Sequence, residues 1–218
     1  MSIKGGPATV TSGLILELDA ANTKSYTSGS STWYDTSGNK NNGTLVGVAY
    51  NSANNGSISF NGVSSYASPP VNIDYYPDTI SAWFYPTVTT SIISIVTSDD
   101  GGYDKGFGIG NGQWMINIGD NQAFAGNVIA NNWYYGTVVY ETNDVKLYIN
   151  SNLVYSKGSG QGSTAGANLQ IGRAWYPGGA GSRFFSGYIS NVSMYNRALT
   201  ASEVLTNYTA TKGRFGLT

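Results

Sequence analysis

The chain has 218 residues, a length that a single β-sandwich domain can fill. Its 11 basic and 12 acidic residues form no run of like charge, which excludes the dense basic face of a nucleic-acid binder and disfavours electrostatic attachment to a membrane. His and Cys are both absent, so no Ser-His-Asp or Cys-His catalytic arrangement can form.

The N-terminal residues 1–12 predict a flexible arm, because Gly5, Gly6 and Pro7 interrupt any regular element. No apolar stretch follows Lys4, and no run reaches membrane-spanning length. We therefore expect neither a secretory signal nor a membrane-spanning segment. We expect the protein to be cytosolic, unless an upstream piece has been removed.

Alternation of apolar and polar residues predicts a series of short strands. The first spans 13–19, where Leu14, Leu16 and Leu18 alternate with Glu17 and Asp19. A long polar loop, 20–42, follows it. Further strands are predicted at 43–48, 57–60, 79–85, 91–97, 106–110, 113–119, 133–140, 145–150, 153–156, 168–173 and 184–195.

A single helix is predicted near the C-terminus. Thr200 and Glu203 have the spacing of a capping box, and the helix is expected to end near Tyr208. Many short strands with turn signals between them indicate an all-β, two-sheet antiparallel jelly-roll sandwich. We assign 13–210 to this domain and 211–218 to a C-terminal tail.

Four segments resemble the concanavalin A-like, laminin-G-type lectin family, in the order the family has them. They are the strand-turn FNGVSSY at 60–66, the strand TISAWFYP at 79–86, the hairpin formed by NWY at 132–134 with KLYIN at 146–150, and the closing signature GYISNVSMYNRAL at 187–199. The resemblance implies a concanavalin A-like jelly roll over 13–210.

A narrower likeness involves both ends of the domain. Segments 13–26, 33–43 and 207–217 are similar to lectin-like domains of tailed-bacteriophage virion proteins. This likeness implies a capsid decoration or fibre component that assembles in the host cytoplasm, contacts other capsid or fibre proteins, and forms a homo-oligomer, which we expect to be a trimer. An extracellular location is the alternative.

Carboxylates are too few and too scattered to predict a glycoside hydrolase. The chain has three glutamates, of which Glu203 belongs to the capping box and Glu141 lies at a hairpin end. Glu17 and Asp19 share one strand face, but hydrolysis needs two carboxyl groups flanking the bond, about 5–9.5 Å apart. We interpret this pair as a solvated strand face and expect no catalysis.

Calcium-binding relatives use aspartates where this chain has Asn61, Ser65, Ser190 and Asn191. Calcium prefers several carboxylate oxygens, so we expect no cofactor, or at most a weak calcium site involving Asn61 and Asn191. A second acidic group, Asp99 and Asp100 with Asp104, is interpreted as a solvated hairpin loop.

Glycan binding is the main functional hypothesis, since sugars stack on aromatic faces and hydrogen-bond to polar groups beside them. Trp175 and Tyr176 lie beside Pro and Gly and off any alternating pattern, so they fit a sugar site or, equally, a protein interface. Trp133 and Trp114 are expected in the core, and Trp33 is expected to fill the long N-terminal loop. The remaining candidates for carbohydrate contact are Asp99, Asp100, Tyr103, Trp83 and Tyr85.

Two functional classes therefore remain open on sequence grounds. One is a non-catalytic virion surface protein with weak affinity for polysaccharide. The other is a glycan-binding adhesin or receptor-binding module.

Overall fold

The fold is taken from a computed structural model that describes residues 8–72, 77–99, 104–119, 121–158, 167–174 and 182–218. Its strands are numbered β1–β16 in chain order and form two eight-stranded sheets. All strand pairs among the described residues are antiparallel. The predicted two-sheet jelly roll is thereby confirmed.

The first sheet has the order β14-β13-β12-β7-β16-β5-β4, and β1 pairs with β16 beyond the end of β5. Its strands are β1 (Leu14–Asp19), β4 (Ala49–Asn51), β5 (Ser57–Asn61), β7 (Asp78–Pro86), β12 (Tyr134–Glu141), β13 (Asp144–Ile149), β14 (Asn152–Gly158) and β16 (Ser186–Tyr195).

The second sheet has the order β11-β10-β9-β8-β15-β6-β3-β2. Its strands are β2 (Thr32–Trp33), β3 (Gly43–Val46), β6 (Tyr66–Ser68), β8 (Ile93–Ser98), β9 (Lys105–Gly110), β10 (Gln113–Ile118), β11 (Gln122–Ala125) and β15 (Gln170–Ile171).

Alternation decides which side chains enter the core between the sheets. Ile80, Ala82 and Phe84 of β7 are fully buried in the main core, whereas Trp83 belongs to a separate cluster on the opposite face. Trp114 also lies in the main core, as expected. One face of the first sheet therefore points away from the core, and we refer to it as the outer face.

The C-terminal segment covers part of that outer face. Helix α1 (Ala201–Thr211) is followed by a 3-10 turn at Lys212–Phe215. Both hydrogen bonds of the capping box between Thr200 and Glu203 are present, which confirms the predicted helix start. The helix continues to Thr211 rather than ending near Tyr208, and the aromatic rings of Tyr208 and Phe215 on either side of its end pack on Trp83 of the sheet.

Sequence alternation missed four short strands, β2, β4, β6 and β11. Each has four residues or fewer, too short for a period of two to stand out. Trp33 lies in β2 and is fully buried in the main core, so it packs under the sheet rather than filling a loop.

The two ends of the described chain meet on the outer face. The backbone N–H of Val10 donates to Asn207 Oδ1, and Tyr195 OH donates to the carbonyl of Val10. Arg214 pairs with Asp19 at 2.8 Å. Residues 8–12 and the 3-10 turn therefore contact the domain itself, beside strand β1.

Candidate functional site

Three half-exposed aromatic side chains form a row across neighbouring strands of the outer face. Tyr85 of β7 and Tyr188 of β16 are a cross-strand pair, with ring centroids 5.7 Å apart. Trp133 directly precedes β12, and its ring lies 5.5 Å from that of Tyr85. We call Tyr85, Trp133 and Tyr188 the aromatic row.

The alternation of β7 and β16 gives these tyrosines their direction. Phe84 and Ile189 are partners in the ladder and are fully buried in the core, so the residues next to them in each strand face outward. The ring of Phe215 packs against Trp133, with the two ring centroids 4.6 Å apart. Trp133 was expected in the core but is half-exposed, because it lies outside the ladder and on the outer face.

Amide side chains border the aromatic row. Asn54 Oδ1 accepts a hydrogen bond from Trp133 Nε1 at 3.2 Å. Asn54 adopts a left-handed conformation, with φ 53°, which asparagine tolerates better than most residues. Asn51, Ala53 and Asn54 complete, with the row, a shallow cavity of about 210 Å³. Its lining contains aromatic and amide groups without a charged side chain.

Trp83 is not available to a ligand on this face, contrary to expectation. Only 1% of its surface is exposed, since the ring of Phe215 stacks on it at 4.1 Å and Tyr208 at 5.9 Å. Its Nε1 donates to Thr211 Oγ1 at 2.8 Å. The docked C-terminal segment thus buries one of the two predicted β7 residues and leaves Tyr85 accessible.

The acidic loop group is not solvated where the structure describes it. Asp99 and Asp104 are buried, because they lie at the ends of β8 and β9, whose residues are all buried. Asp100, Tyr103, Trp175 and Tyr176 lie outside the described residues, so their role in carbohydrate contact stays a prediction.

Glu17 also departs from its predicted setting as a solvated residue. It occupies a recess on the outer face, where Asn191 Nδ2 and Ser193 Oγ each donate to its carboxylate at 2.6 Å. Burial raises the pKa of Glu17 to about 7, more than these two hydrogen bonds lower it. Sequence reasoning missed this because the docked helix, and not strand β1, encloses the carboxylate.

The suggested calcium ligands are engaged in other ways. Asn61 Oδ1 accepts from the backbone N–H groups of Val63, Ser64 and Ser65, and Asn191 contacts Glu17. Within the described ranges, no three acidic side chains lie close enough together to hold a metal ion. Nor does any helix there have the length and apolar character to cross a bilayer.

Several solved structures share this fold. Trypanosoma rangeli sialidase in complex with sialic acid aligns with a TM-score of 0.72 at 19% identity, over 98% of this chain and 35% of the sialidase. The chain thus spans about a third of that enzyme's length. Domain 4 of an extracellular arabinanase from Geobacillus stearothermophilus, in complex with arabinotriose, aligns with a TM-score of 0.68 at 19% identity, over 89% of this chain and 98% of the domain.

The receptor binding domain of botulinum neurotoxin C/D mosaic serotype aligns with a TM-score of 0.69 at 15% identity, over 91% of this chain and 51% of that domain. Comparison with curated protein sequences gives no match. The model of a laminin-G family, described as the concanavalin A-like lectin/glucanases superfamily, matches residues 60–205, which is more than half of the chain. The chain therefore belongs to the concanavalin A-like lectin/glucanase superfamily.

Proposed function

We propose that this protein is a non-catalytic glycan-binding module that holds a saccharide chain against the aromatic row. The observation that carries the proposal is the half-exposed row formed by Tyr85 and Tyr188 on adjacent strands and by Trp133 directly before a third strand. Aromatic faces stack on the apolar face of sugar rings, and the apolar surface they offer is costly to leave in water. The arabinotriose complex of the similar arabinanase domain supports a saccharide ligand.

The lining of the row favours a neutral saccharide. Its polar groups are amides and phenols, and Asn51 and Asn54 can orient hydroxyl groups by hydrogen bonds. A carboxylated sugar would find no cation in this lining to pair with. The cavity is shallow, and the small area that it can bury predicts a weak affinity for the saccharide.

Replacement of one tyrosine of the aromatic row tests this assignment. Tyr188→Ala should weaken binding of a neutral polysaccharide at least fivefold, since packing against one aromatic ring contributes about 1 kcal/mol. Affinity electrophoresis or a glycan array measures this binding. Tyr34→Ala is the matched control, because Tyr34 is a tyrosine with 47% exposure away from the row. Equal binding by the wild type and Tyr188→Ala, or no binding to any neutral glycan, would rule out the row as the site.

The non-catalytic part of the proposal is supported by how the carboxylates are engaged. Glu17 accepts two hydrogen bonds from neutral donors, and Asp19 pairs with Arg214. Glycoside hydrolysis needs a carboxyl pair that faces the substrate from two sides. We expect no release of reducing sugar from a β-glucan. Turnover that disappears in Glu17→Gln would contradict this.

We further propose a virion surface as the setting of this module, with capsid or fibre proteins as neighbours. The support is the likeness of segments 13–26, 33–43 and 207–217 to lectin-like domains of phage proteins. Decoration proteins assemble as closed oligomers, so sedimentation should show a homo-oligomer, with a trimer expected. Monomer alone at high concentration would count against this setting.

A further inference from the structure

A polar cavity lies between the outer face of the first sheet and the C-terminal segment, apart from the aromatic row. Its volume is about 180 Å³, enough for a small molecule and below the range of about 300–1,000 Å³ typical of drug-sized ligands. We call it the Glu17 cavity. Its lining is formed by Thr9, Glu17, Asp19, Trp83, Tyr135, Asn191, Ser193, Tyr195, Asn207, Thr211 and Arg214.

Strand register explains why polar groups converge there. Glu17 and Asp19 of β1 pair with Ser193 and Asn191 of β16, and this stretch of the ladder continues to Trp83 of β7. All of these residues point to the outer face, where α1 bridges over them. A gap remains between helix α1 and the sheet, and the contacts of Phe215 with Trp83 and Trp133 fix the C-terminal segment at one end of this gap.

The charge of the cavity is not balanced within the described chain. The Asp19 carboxylate has Arg214 at 2.8 Å as its cation. Glu17 has two neutral donors, Asn191 and Ser193, and forms no ion pair among the described residues. An enclosed carboxylate is expensive to ionise unless a cation joins it.

We propose that the Glu17 cavity binds a small hydroxylated primary ammonium compound, the class of amino alcohols and amino sugars, whose ammonium group pairs with Glu17. Three ammonium hydrogens match the acceptors available there, namely the Glu17 carboxylate, Asn191 Oδ1 and Ser193 Oγ. The nearby rings of Tyr135 and Tyr195 favour a cation, and the ligand hydroxyl groups meet the polar groups of Thr9 and Thr211.

Ionisation of Glu17 links this binding to pH. The pKa of Glu17 lies near 7, so an ammonium ligand that binds the ionised form expels a proton from a large share of the molecules at neutral pH. The other titratable or charged groups that face Glu17 are Asp19, Asp35, Tyr135, Tyr195 and Arg214. Burial raises the pKa of Tyr135 to about 12 and also raises the pKa of Tyr195, so neither tyrosine titrates together with Glu17 near neutrality.

Calorimetric titration with ethanolamine tests the proposal, with N-acetylethanolamine as the uncharged control. We expect ethanolamine to bind and its affinity to rise about tenfold from pH 6 to pH 8, following the ionised fraction of a group with pKa near 7. Heats measured at pH 7 in two buffers of different ionisation enthalpy should show proton release. Glu17→Gln should reduce ethanolamine affinity at least tenfold, since the amide keeps the shape and loses the charge.

Several results would overturn the proposal: no heat with ethanolamine, equal binding of N-acetylethanolamine, or binding without proton release. Unchanged affinity in folded Glu17→Gln would do the same. If that variant does not fold, the proton-release measurement on the unmodified protein decides. Tyr188→Ala should leave ethanolamine binding unchanged, so failure of this site is distinguishable from failure of the aromatic row.

Discussion

At the scale of single residues, the buried ion pair between Asp78 and Lys105 removes two charged groups from water at a high cost in free energy. Both side chains are almost fully enclosed, and Asp78 Oδ1 has no hydrogen-bond partner. Burial raises the pKa of Asp78 to about 7 despite the ammonium group beside it. Removing one partner leaves the other charge uncompensated, which is more harmful than replacing both.

Lys105→Met should therefore lower the free energy of unfolding by about 3–5 kcal/mol at pH 8, measured by urea denaturation. The loss should shrink at pH 5.5, where Asp78 is protonated. Lys146→Met is the matched control. It removes a surface pair with Glu141, and we expect a change within about 1 kcal/mol. A Lys105→Met variant as stable as the wild type at pH 8 would show that Asp78 is not charged there.

At the scale of elements, the C-terminal helix decides which part of the outer face is open. Helix α1 contributes Val204 to a cluster with Leu199 and Tyr195, and the turn after it places Phe215 on Trp83. A helix of 11 residues is marginal by itself, so its docking and its cap must stabilise it together. The same C-terminal segment lines one side of the Glu17 cavity and packs Phe215 against Trp133.

Thr200→Ala should lower the free energy of unfolding by about 0.5–2 kcal/mol, because the first-turn N–H of Glu203 loses its acceptor. Urea denaturation followed by tryptophan fluorescence measures this change. Thr206→Ala is the matched control within the same helix, where the Thr206 hydroxyl only bonds back to the Ser202 carbonyl. A control as destabilising as Thr200→Ala would argue against a specific role of the cap.

At the scale of the whole molecule, two enclosed carboxylates should set the response of stability to pH. The pKa values of Glu17 and Asp78 are each raised to about 7, so the folded protein retains protons that the unfolded chain releases near pH 4. The stabilisation that these two carboxyl groups contribute is fully present below their pKa in the unfolded chain. It is lost as the pH rises through their pKa in the folded protein. Glu203 acts in the opposite sense, since its pKa is lowered to about 2 by Arg197 and its cap, and its contribution is lost in strong acid.

Thermal unfolding should therefore show the highest melting temperature near pH 5 and a decline up to about pH 7.5. Glu17→Gln should flatten this decline, because the Glu17 share of about 2–3 kcal/mol disappears. A steeper decline in Glu17→Gln, or a melting temperature that rises from pH 5 to pH 7.5, would contradict the raised pKa values. The helix variant Thr200→Ala should keep the same pH slope as the wild type.

Most of the secondary structure followed from local patterns. Alternation in Ile80, Ala82 and Phe84 gave the strand and its buried face, and the capping box gave the start of the helix. Four short strands did not follow, since three residues such as Ala49–Asn51 form a strand only because β5 lies beside them. Tyr85 is predicted from the sequence as a candidate, whereas strand register adds Tyr188 and the packing of Trp133 against Tyr85 and Phe215 adds Trp133.

The amino-acid sequence by itself determined the fold class and the set of outward-facing residues, because a period of two assigns each strand residue to one face. Only the tertiary structure decided which outward residues stay open, since that depends on where a helix distant along the chain docks. Phe215 buries Trp83 and leaves Tyr85 and Tyr188 accessible, while Asn207, Thr211 and Arg214 of the same segment line the cavity that holds Glu17. When a segment that is distant along the chain buries a residue, the sequence around that residue carries no sign of it. The raised pKa of Glu17 therefore follows from the tertiary structure and not from the sequence around Glu17.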